Sequence, residues 1–498
     1  MSKLYDTIVT AGQIWGEYET CLDTHMKMGI DDDTVRAYRF YEGDQWYGLE
    51  SGDEQLPVYN FIAPLVKYKT AMVAMNDMSI NYSAPITDDR MQRVCAGLSR
   101  IAAQQWERLK MDTKCWDVVK AAMISGDSYI YFYDGAGSCQ VLERTDVFLA
   151  DESNPDISAQ PYILIRERKS VKDIRAQAQK NGISKEIYMT ILPDEDLDDL
   201  GRDKCVSLLK LELVNGDLYF TRSTRTVVYQ PRQVVKGLNC YPVASLICSR
   251  KRSTARGYGE VLPVIPNQIE INRNLARRLV NAKLTAYSRL IYAGDRIANP
   301  KALTEVGTAI EVEGGSINSV KDAVNYLTPS PMAPDAKALS EELLITTRQL
   351  AGAGDASLGN IDPTKASGTA IIAVRDQAAI PLNEQTAAFR RLVEDIAMIW
   401  YRQWIVYNPE GITLPGGEKI SAGQLDILQP QVRVDVSSTN PFSKYAREQS
   451  LSQLFSMGHL TFEEYVWALD DDSSVPKSKL EQIIKSRGGQ NNVDIENQ

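Results

Sequence analysis

Side chains that could perform catalysis are few and scattered in this sequence. His25 and His459 are the only histidines among 498 residues. A Ser-His-Asp hydrolase, a Cys-His protease and a multi-histidine metal site each need a histidine with partners of defined type. We expect both histidines to be surface or helix-end residues. The sequence therefore gives no support to these three classes of site, and we predict no catalytic residue.

Two acidic runs could in principle hold a divalent metal ion. They are Asp194–Asp199 and Asp470–Asp472, and neither has the ligand spacing of an EF-hand loop or a nearby histidine. We therefore predict solvated loops and no bound metal. A metal-dependent nucleic-acid enzyme, whose carboxylates would have to converge in one pocket, remains the alternative function at this point.

A glycine-rich segment at residues 352–368 could cradle a phosphate. Its order of residues matches neither G-x-x-x-x-G-K-[ST] nor G-x-G-x-x-G, the two motifs that place main-chain amides around nucleotide phosphates. We predict a flexible loop, because glycine imposes little conformational restriction, and we predict no cofactor.

Composition places the chain among ordinary globular proteins. Hydrophobic residues make up 44% of it, and 65 acidic side chains outnumber 55 basic ones to give a formal net charge of −10. No stretch reaches the roughly 18–20 apolar residues that span a bilayer, so we expect a soluble protein without membrane contact. The seven cysteines are scattered without C-x-x-C spacing, which predicts reduced, buried thiols.

Both helices and strands are predicted around these residues. Helical spacing runs through Val58–Met78 and through Ile101–Ile124, and a period of two then predicts a hairpin at Ser128–Glu143. Further strands are predicted at Tyr162–Arg166, Val206–Val214, Leu218–Thr221, Thr226–Gln230 and Val432–Val436. The predicted fold class is α+β, mainly α.

A long basic helix is predicted after Pro266. Arg273, Arg277 and Lys283 give it a positive surface, which suits either nucleic-acid phosphates or acidic groups of a neighbouring subunit. A small α/β segment follows, and Asp335 can cap a second helix that runs to about Leu350. Pro381 falls inside a later helical pattern, where its missing amide hydrogen predicts a kink.

Several motifs occur in a fixed order around these elements. They are Tyr41-Glu42-Gly43-Asp44-Gln45-Trp46, Pro57–Pro64, Gly257-Tyr258-Gly259-Glu260, Pro266–Asn272 and, after the glycine-rich loop, Ser367–Ile371. The order, from about Val35 to Val436, resembles that of the portal proteins of tailed bacteriophages and prophages.

The resemblance implies a portal-type subunit divided into named regions. These are a wing (1–255), a first stem helix (256–288), a clip (289–334), a second stem helix (335–351), a tunnel loop (352–368), a kinked long helix with a returning wing strand (369–439), and a helical crown with a frayed tail (440–498).

The resemblance also implies roles for particular residues. The tunnel loop would meet DNA through Gly352, Gly354, Asp355, Gly359, Lys365 and Gly368. The stem would carry Arg273, Arg277 and Lys283 as basic candidates, and Pro381 would mark the kink. Partner proteins would dock on the clip at Asp295, Arg296, Glu311 and Glu313.

The implied function is a ring of about twelve subunits at one capsid vertex, through which double-stranded DNA enters and leaves without sequence recognition. Implied partners are the terminase large subunit, the head-tail adaptor, the major capsid protein and scaffolding protein. The protein would reside in the virion, and in the host cytoplasm during assembly. Another head-tail connector ring protein is the second alternative. A negative subunit suits a conduit, because a wall that gripped each phosphate would oppose translocation.

Overall fold

The computed structural model of the chain describes residues 9–48, 56–74, 76–84, 89–135, 137–194, 203–286, 289–303, 311–313, 324–327, 334–350, 352, 380–415, 417–428, 430–438, 451–469 and 479–480. The chain divides into two units. The first contains residues 1–38, 65–262 and 355–498, and the second contains residues 39–64 and 263–354.

Helices occur along the whole of the described chain. In chain order they are α1 (Ala11–Met28), α2 (Ile30–Glu42), α3 (Ile62–Ala74), α4 (Asp89–Leu109), α5 (Met111–Ser125), α6 (Val171–Lys180), α7 (Lys185–Tyr188), α8 (Ile265–Ala286), α9 (Pro334–Leu350), α10 (Asn383–Tyr407), α11 (Ala422–Leu428) and α12 (Phe462–Ala468).

The strands are short and antiparallel. They are β1 (Asn76–Ser83), β2 (Asp127–Phe132), β3 (Cys139–Glu143), β4 (Val147–Leu149), β5 (Ile163–Ser170), β6 (Lys204–Val214), β7 (Asp217–Ser223), β8 (Val228–Val235), β9 (Val243–Ile247), β10 (Ser249–Arg250), β11 (Gly257–Tyr258), β12 (Arg289–Tyr292), β13 (Val324–Leu327), β14 (Ile412–Thr413), β15 (Lys419–Ile420) and β16 (Gln431–Ser438).

Two sheets form the centre of the first unit. One has five strands in the order β4-β5-β6-β7-β8, and the other has three in the order β3-β2-β9. The β6–β7 turn needs left-handed backbone at Asn215 (φ 55) and Gly216 (φ 85), residue types that tolerate it. The predicted hairpin is confirmed as β2–β3, with Ile130 opposite Val141.

The N-terminal helix shows how sequence positions an element against this sheet. Thr10 and Gln13 form a capping box at the start of α1, and Gly29 (φ 69) ends the helix in left-handed conformation. Its stripe of Ile14, Tyr18 and Cys21 packs on a cluster from β4, β5 and β6, namely Phe148, Leu164 and Leu208. The buried stripe therefore fixes α1 on one face of the five-stranded sheet.

Two predicted helices are wrong in their extent. The helix predicted to Met78 ends at Ala74, and Met78 lies in β1, which pairs with β16 (Ile80 opposite Val434). The strand predicted at Val432–Val436 thus returns to an earlier strand, as expected. The helix predicted at 101–124 is two helices, because Lys110 adopts left-handed backbone (φ 50) between α4 and α5.

The second unit contains α8, α9 and the β12–β13 pair. β12 and β13 are antiparallel, with Leu290 opposite Tyr326. A 3₁₀ turn at Pro300–Leu303 replaces the predicted short helix at 300–306, of which residues 304–306 lie outside the described residues. The α9 helix begins at Pro334, so Asp335 lies inside its first turn rather than at the cap. The described elements together confirm the α+β fold class.

Candidate functional site

Buried side-chain amides in the second unit connect motifs that are far apart in the sequence. The side chain of Gln268 on α8 donates to the carbonyl oxygen of Tyr59 (2.8 Å) and accepts from the amide of Phe61 (3.2 Å). Asn272, one turn later, accepts from the amide of Tyr59 (3.0 Å) and donates to Gln45 (2.5 Å). Both amide side chains are at least 99% buried. These hydrogen bonds explain why an extended segment with no regular structure accompanies the helix.

Hydrogen bonds of two further side chains, Asn60 and Trp46, shape that extended segment. Asn60 accepts from the amides of Ile62 and Ala63 and so caps the start of α3, while its Nδ2 donates to the carbonyl of Tyr41. The indole of Trp46 donates to the carbonyl of Pro57 (3.1 Å). The motifs at Tyr41–Trp46, Pro57–Pro64 and Pro266–Asn272 therefore form one hydrogen-bonded network.

The helices α8 and α9 pack on one another in this unit. Asn267 Nδ2 donates to Thr347 Oγ1 (3.0 Å), and Thr347, which is 1% exposed, donates in turn to the carbonyl of Leu343. A buried side chain–side chain hydrogen bond is directional, so it fixes the rotation of one helix relative to the other. We call α8 and α9 the helix pair.

The predicted basic residues all lie at the surface of α8. Arg273, Arg277 and Lys283 are exposed, and Arg273 pairs with Glu270 one turn earlier (2.7 Å). An exposed pair of this kind contributes little to stability, because water screens it. The three cations therefore lie on the solvent-exposed surface of α8.

The predicted clip residues lie together on a short loop pair. An isolated bridge joins Ile297 to Val312, and main-chain hydrogen bonds connect Ala298 to Glu311 and Glu313 to Arg296. Asp295, Arg296, Glu311 and Glu313 are exposed. The structure thus places these four exposed residues on two paired segments, in which Ile297 is 5% exposed.

Most of the predicted tunnel loop lies outside the described residues. Gly352 is described and has left-handed backbone (φ 72) immediately after α9, whereas Gly354, Asp355, Gly359, Lys365 and Gly368 are outside. Pro381 lies in a 3₁₀ turn, Ile380–Leu382, directly before α10 begins at Asn383. The helix that was predicted to precede this proline also falls on residues outside the described set.

A buried charge cluster in the first unit is the feature that sequence reasoning missed. Arg256, 1% exposed, forms a bidentate pair with Glu152 (Nε–Oε2 2.8 Å, Nη2–Oε1 2.7 Å) and reaches Asp127 (3.2 Å). Arg144 reaches the other oxygen of Asp127 (3.4 Å). Arg256 Nη2 also lies 2.9 Å from His25 Nε2. We call these five residues the arginine cluster.

The expectation of a surface or helix-end histidine is half right for His25, which lies in the last turn of α1 but not at the surface. Its ring is fully buried, stacks on Phe148 with 4.3 Å between ring centroids, and lies 3.2 Å from Glu152. Burial disfavours the charged imidazolium and lowers the pKa of His25 despite the nearby carboxylate. His459, by contrast, is exposed as expected.

The Glu152 carboxylate of the cluster is held ionised. Burial favours protonated Glu152, but hydrogen bonds from Arg256 and His25 outweigh it and lower the pKa of Glu152 to about 2. The cluster thereby connects α1, β2 and the loops around residues 144, 152 and 256. The cluster residues that Arg256 contacts through its side chain, Glu152, Asp127 and His25, lie 104 to 231 residues from it in sequence, so no local spacing could identify them.

Close main-chain packing explains the two glycines that follow Arg256. A Cβ atom at Gly257 would lie 2.6 Å from the carbonyl oxygen of Gly126, and one at Gly259 would lie 2.5 Å from that of Ile124. Side chains here would push the main chain away from the end of α5. The Gly257-Tyr258-Gly259 motif therefore allows close backbone packing beside the arginine cluster.

The cysteines are free thiols. Six are buried, and Cys240 is half-buried. Among the described residues no group of three or more metal-ligating side chains converges, and no helix is long and apolar enough to cross a membrane.

Comparison with known families gives a match to the central part of the chain. Residues 220–405 match the family described as phage P22-like portal protein. Over these residues the chain is similar to phage portal proteins. The portal family is a structural, non-enzymatic component of the capsid, which agrees with the prediction of no catalytic residue.

The matched region, residues 220–405, contains every site residue named from the sequence. It runs from β7 through the helix pair and most of α10, and it includes Arg256. One solved structure with an overall likeness is a chain of the virion of a native gene transfer agent particle, 12% identical, covering 88% of this chain and 93% of that chain with a TM-score of 0.41. No curated protein sequence matches the chain.

Proposed function

We propose that this chain is the subunit of a dodecameric portal ring at one capsid vertex, the channel for DNA packaging and ejection. The observation that carries the proposal is the portal-family match over residues 220–405. That region contains the helix pair and the β12–β13 pair, in the order expected of a first stem helix (256–288), a clip (289–334) and a second stem helix (335–351). In the proposal the wing is residues 1–255 and the crown is residues 440–498.

Exposed apolar side chains on the helix pair support an assembly of copies. They are Leu279, Val280, Leu339, Ile345 and Leu350, exposed by 41%, 46%, 56%, 50% and 80%. Large apolar surface of this kind marks interaction sites in soluble proteins. Neighbouring copies of the chain would cover it in a closed ring, because each copy offers the same helix pair to the next.

Charge supports passage of DNA rather than tight binding. A formal charge of −10 on each subunit repels phosphates overall, whereas Arg273, Arg277 and Lys283 would form sparse rings of positive charge. Weak, sequence-independent contacts of this type guide a polyanion without stopping it. In the same proposal the tunnel loop at residues 352–368 closes the channel around DNA, with Lys365 as its cation.

The clip is the proposed docking surface for the terminase large subunit and later for the head-tail adaptor. Asp295, Arg296, Glu311 and Glu313 would make polar contacts there, since all four are exposed. Scaffolding and major capsid proteins would contact the wing during assembly in the host cytoplasm. Energy for packaging would come from ATP hydrolysis in the terminase.

Native mass spectrometry with negative-stain imaging of the purified full-length chain tests the ring. We expect closed rings of about twelve copies with a central hole. A monomer or dimer that persists across salt and protein concentration would contradict the proposal. Rings with a different number of subunits would retain the channel and correct the stoichiometry.

A further inference from the structure

A cavity of about 410 Å³ in the first unit is lined by both of its central sheets. The lining comes from β2 of the three-stranded sheet, from β6, β7 and β8 of the five-stranded sheet, and from α6 and α10. Small-molecule sites in proteins have volumes of roughly 300–1,000 Å³, so this cavity has the size of a ligand site. All of the lining residues belong to the first unit, so the cavity does not depend on how the two units are arranged.

Aliphatic and aromatic side chains form much of the cavity lining. Leu211, Leu218 and Leu238 line it and are each at most 4% exposed. Tyr133 and Tyr407 also line it and are 52% and 41% exposed, so they lie on the side that solvent reaches. Side chains of these types bind the apolar part of a ligand, because that part leaves water when it enters the cavity.

The cavity offers no unpaired charge to a ligand. Among the described residues that line it, Arg222 is the one cation and none is acidic. Arg222 Nη1 already pairs with Glu167 Oε2 at 2.8 Å. A charged ligand would therefore lose its hydration without meeting a free counter-charge, and the lining favours an uncharged ligand.

Gln403 of α10 brings an unsatisfied polar group to the cavity lining. The residue is 2% exposed, and its side-chain Oε1 accepts no hydrogen bond from any described residue. Gln230 and Gln233, in the same lining, instead bond to each other at 3.1 Å. An unpaired buried polar group is costly and rare, so the Gln403 oxygen calls for a donor inside the cavity. Because Nε2 of the same side chain is a donor, a ligand amide would satisfy both atoms at once.

We propose that this cavity binds a small, uncharged molecule that combines an apolar ring with an amide group. The ligand amide donates to Oε1 of Gln403 and accepts from Nε2. Its ring packs on the leucine side chains of the lining, Leu211, Leu218 and Leu238. The site lies within one subunit, so a failure of this proposal would leave the proposed portal ring untouched.

Fluorine NMR of the full-length chain with three matched probes tests the site. The probes are para-fluorobenzamide, para-fluoroacetophenone, which keeps the carbonyl but has no N–H donor, and para-fluorobenzoate, which carries a charge. We expect saturable line broadening of the amide probe with a dissociation constant of about 1 mM, and binding of the ketone and the carboxylate that is weaker by about tenfold or more. Absence of amide binding up to about 10 mM would show a cavity that holds water only, and it would overturn the proposal. So would equal binding of the amide and either other probe.

Gln403→Met separates the amide from the shape of the cavity. The change keeps the length of the side chain and removes its hydrogen-bonding groups, so affinity for para-fluorobenzamide should fall by about tenfold or more. Gln179→Met, at an exposed position of α6, is the matched control and should keep full affinity. Full affinity in Gln403→Met, or an equal loss in both variants, would overturn the proposal.

The same variant has a second readout in the absence of any probe. Gln403→Met removes a buried amide oxygen without a partner, so the midpoint of thermal unfolding should stay the same or rise. A lower midpoint would show that the amide is already bonded within the chain, which overturns the proposal.

Methyl NMR of the wild-type chain locates the bound probe. Saturation with para-fluorobenzamide should shift the methyl signals of Leu218 and Val235, which line the cavity. The methyl signals of Leu164, which packs against α1 on the other face of the five-stranded sheet, should stay in place. Shifts at Leu164 without shifts at Leu218 and Val235 would place the probe elsewhere and overturn the proposal.

Discussion

At the scale of single residues, Arg256 is the side chain whose removal should cost the most stability. Arg256→Ala would leave Glu152 and Asp127 as buried carboxylates without their main cation, a change that typically costs about 3–5 kcal/mol. Chemical denaturation of the full chain measures the loss of unfolding free energy. If Arg256→Ala does not fold, Arg256→Lys keeps one charge and should show an intermediate loss.

A control for that substitution lies four residues away. Arg252 is exposed, and Arg252→Ala should change the unfolding free energy by no more than about 0.5 kcal/mol. Equal effects of the two alanine substitutions would mean that the arginine cluster contributes nothing specific to stability.

His25 predicts how stability depends on pH. Burial holds the folded-state pKa of His25 below its unfolded value of about 6.5, so the unfolded chain binds a proton first as the pH falls. His25 therefore costs stability progressively below about pH 6.5. Glu152, whose pKa falls to about 2, contributes stability above about pH 4.5 that is lost as the pH falls towards 2.

The contribution of His25 can be isolated by measuring the unfolding free energy of the wild-type chain and of His25→Gln between pH 7.5 and pH 5. As the pH falls through about 6.5, the unfolding free energy of the wild-type chain should fall relative to that of His25→Gln. Parallel pH curves would contradict a buried neutral imidazole. Asp31, Glu152 and Arg256 are the charged groups that act on His25, and they are present in both chains.

At the scale of elements, the α4–α5 junction carries a local strain. Lys110 has left-handed backbone, which costs a residue with a Cβ atom about 1–2 kcal/mol, whereas glycine tolerates it. Lys110→Gly should relieve this strain, although glycine also makes the unfolded chain more flexible. The net result should be a rise of about 0.5–1 kcal/mol in the unfolding free energy. Lys110→Ala, which keeps the Cβ atom, should give no gain, and an equal effect of both substitutions would argue against strain. Thermal and chemical denaturation measure both.

The same junction shows what the sequence could and could not predict. The β2–β3 hairpin was predictable because strict alternation and a glycine-rich turn both occur locally. The break at Lys110 was not, since apolar spacing continues across it. At the break Met111 is fully buried, and Trp106 donates to Asp112 across it (2.7 Å). Met78 was assigned to a helix for a similar reason, because its partner strand β16 lies more than 350 residues away.

The candidate site also has a part that the sequence could predict and a part that it could not. The helix pair and its basic face followed from helical spacing, which is a local property of residues 265–350. The arginine cluster did not, because Arg256 looks like its basic neighbours in sequence until the fold brings Asp127 and Glu152 to it. Gln45, Tyr59 and Gln268 belong to motifs that the sequence analysis names, but their common hydrogen-bond network, which also includes Asn272, is visible only in the structure.

At the scale of the whole molecule, the exposed apolar side chains of the helix pair are the strongest physical argument for assembly. Leu339 is 56% exposed on α9, so replacing it with glutamate should leave the stability of an isolated subunit nearly unchanged. In a ring the same side chain would be covered by the next copy, and a buried, unpaired carboxylate would then oppose closure.

The two consequences make Leu339→Glu a test of where the copies meet. We expect a lower fraction of rings in native mass spectrometry and an unchanged unfolding transition of the subunit. Ile187→Glu on α7, at 50% exposure, is the matched control and should preserve the rings, because α7 lies outside the proposed stem. Rings that form equally well with Leu339→Glu would show that the helix pair is not the surface through which copies associate. Loss of rings with Ile187→Glu alone would place that contact in the first unit. A glutamate opposes assembly only where neighbouring copies bury it. The two variants therefore distinguish a ring assembled through the stem from one assembled through the wing.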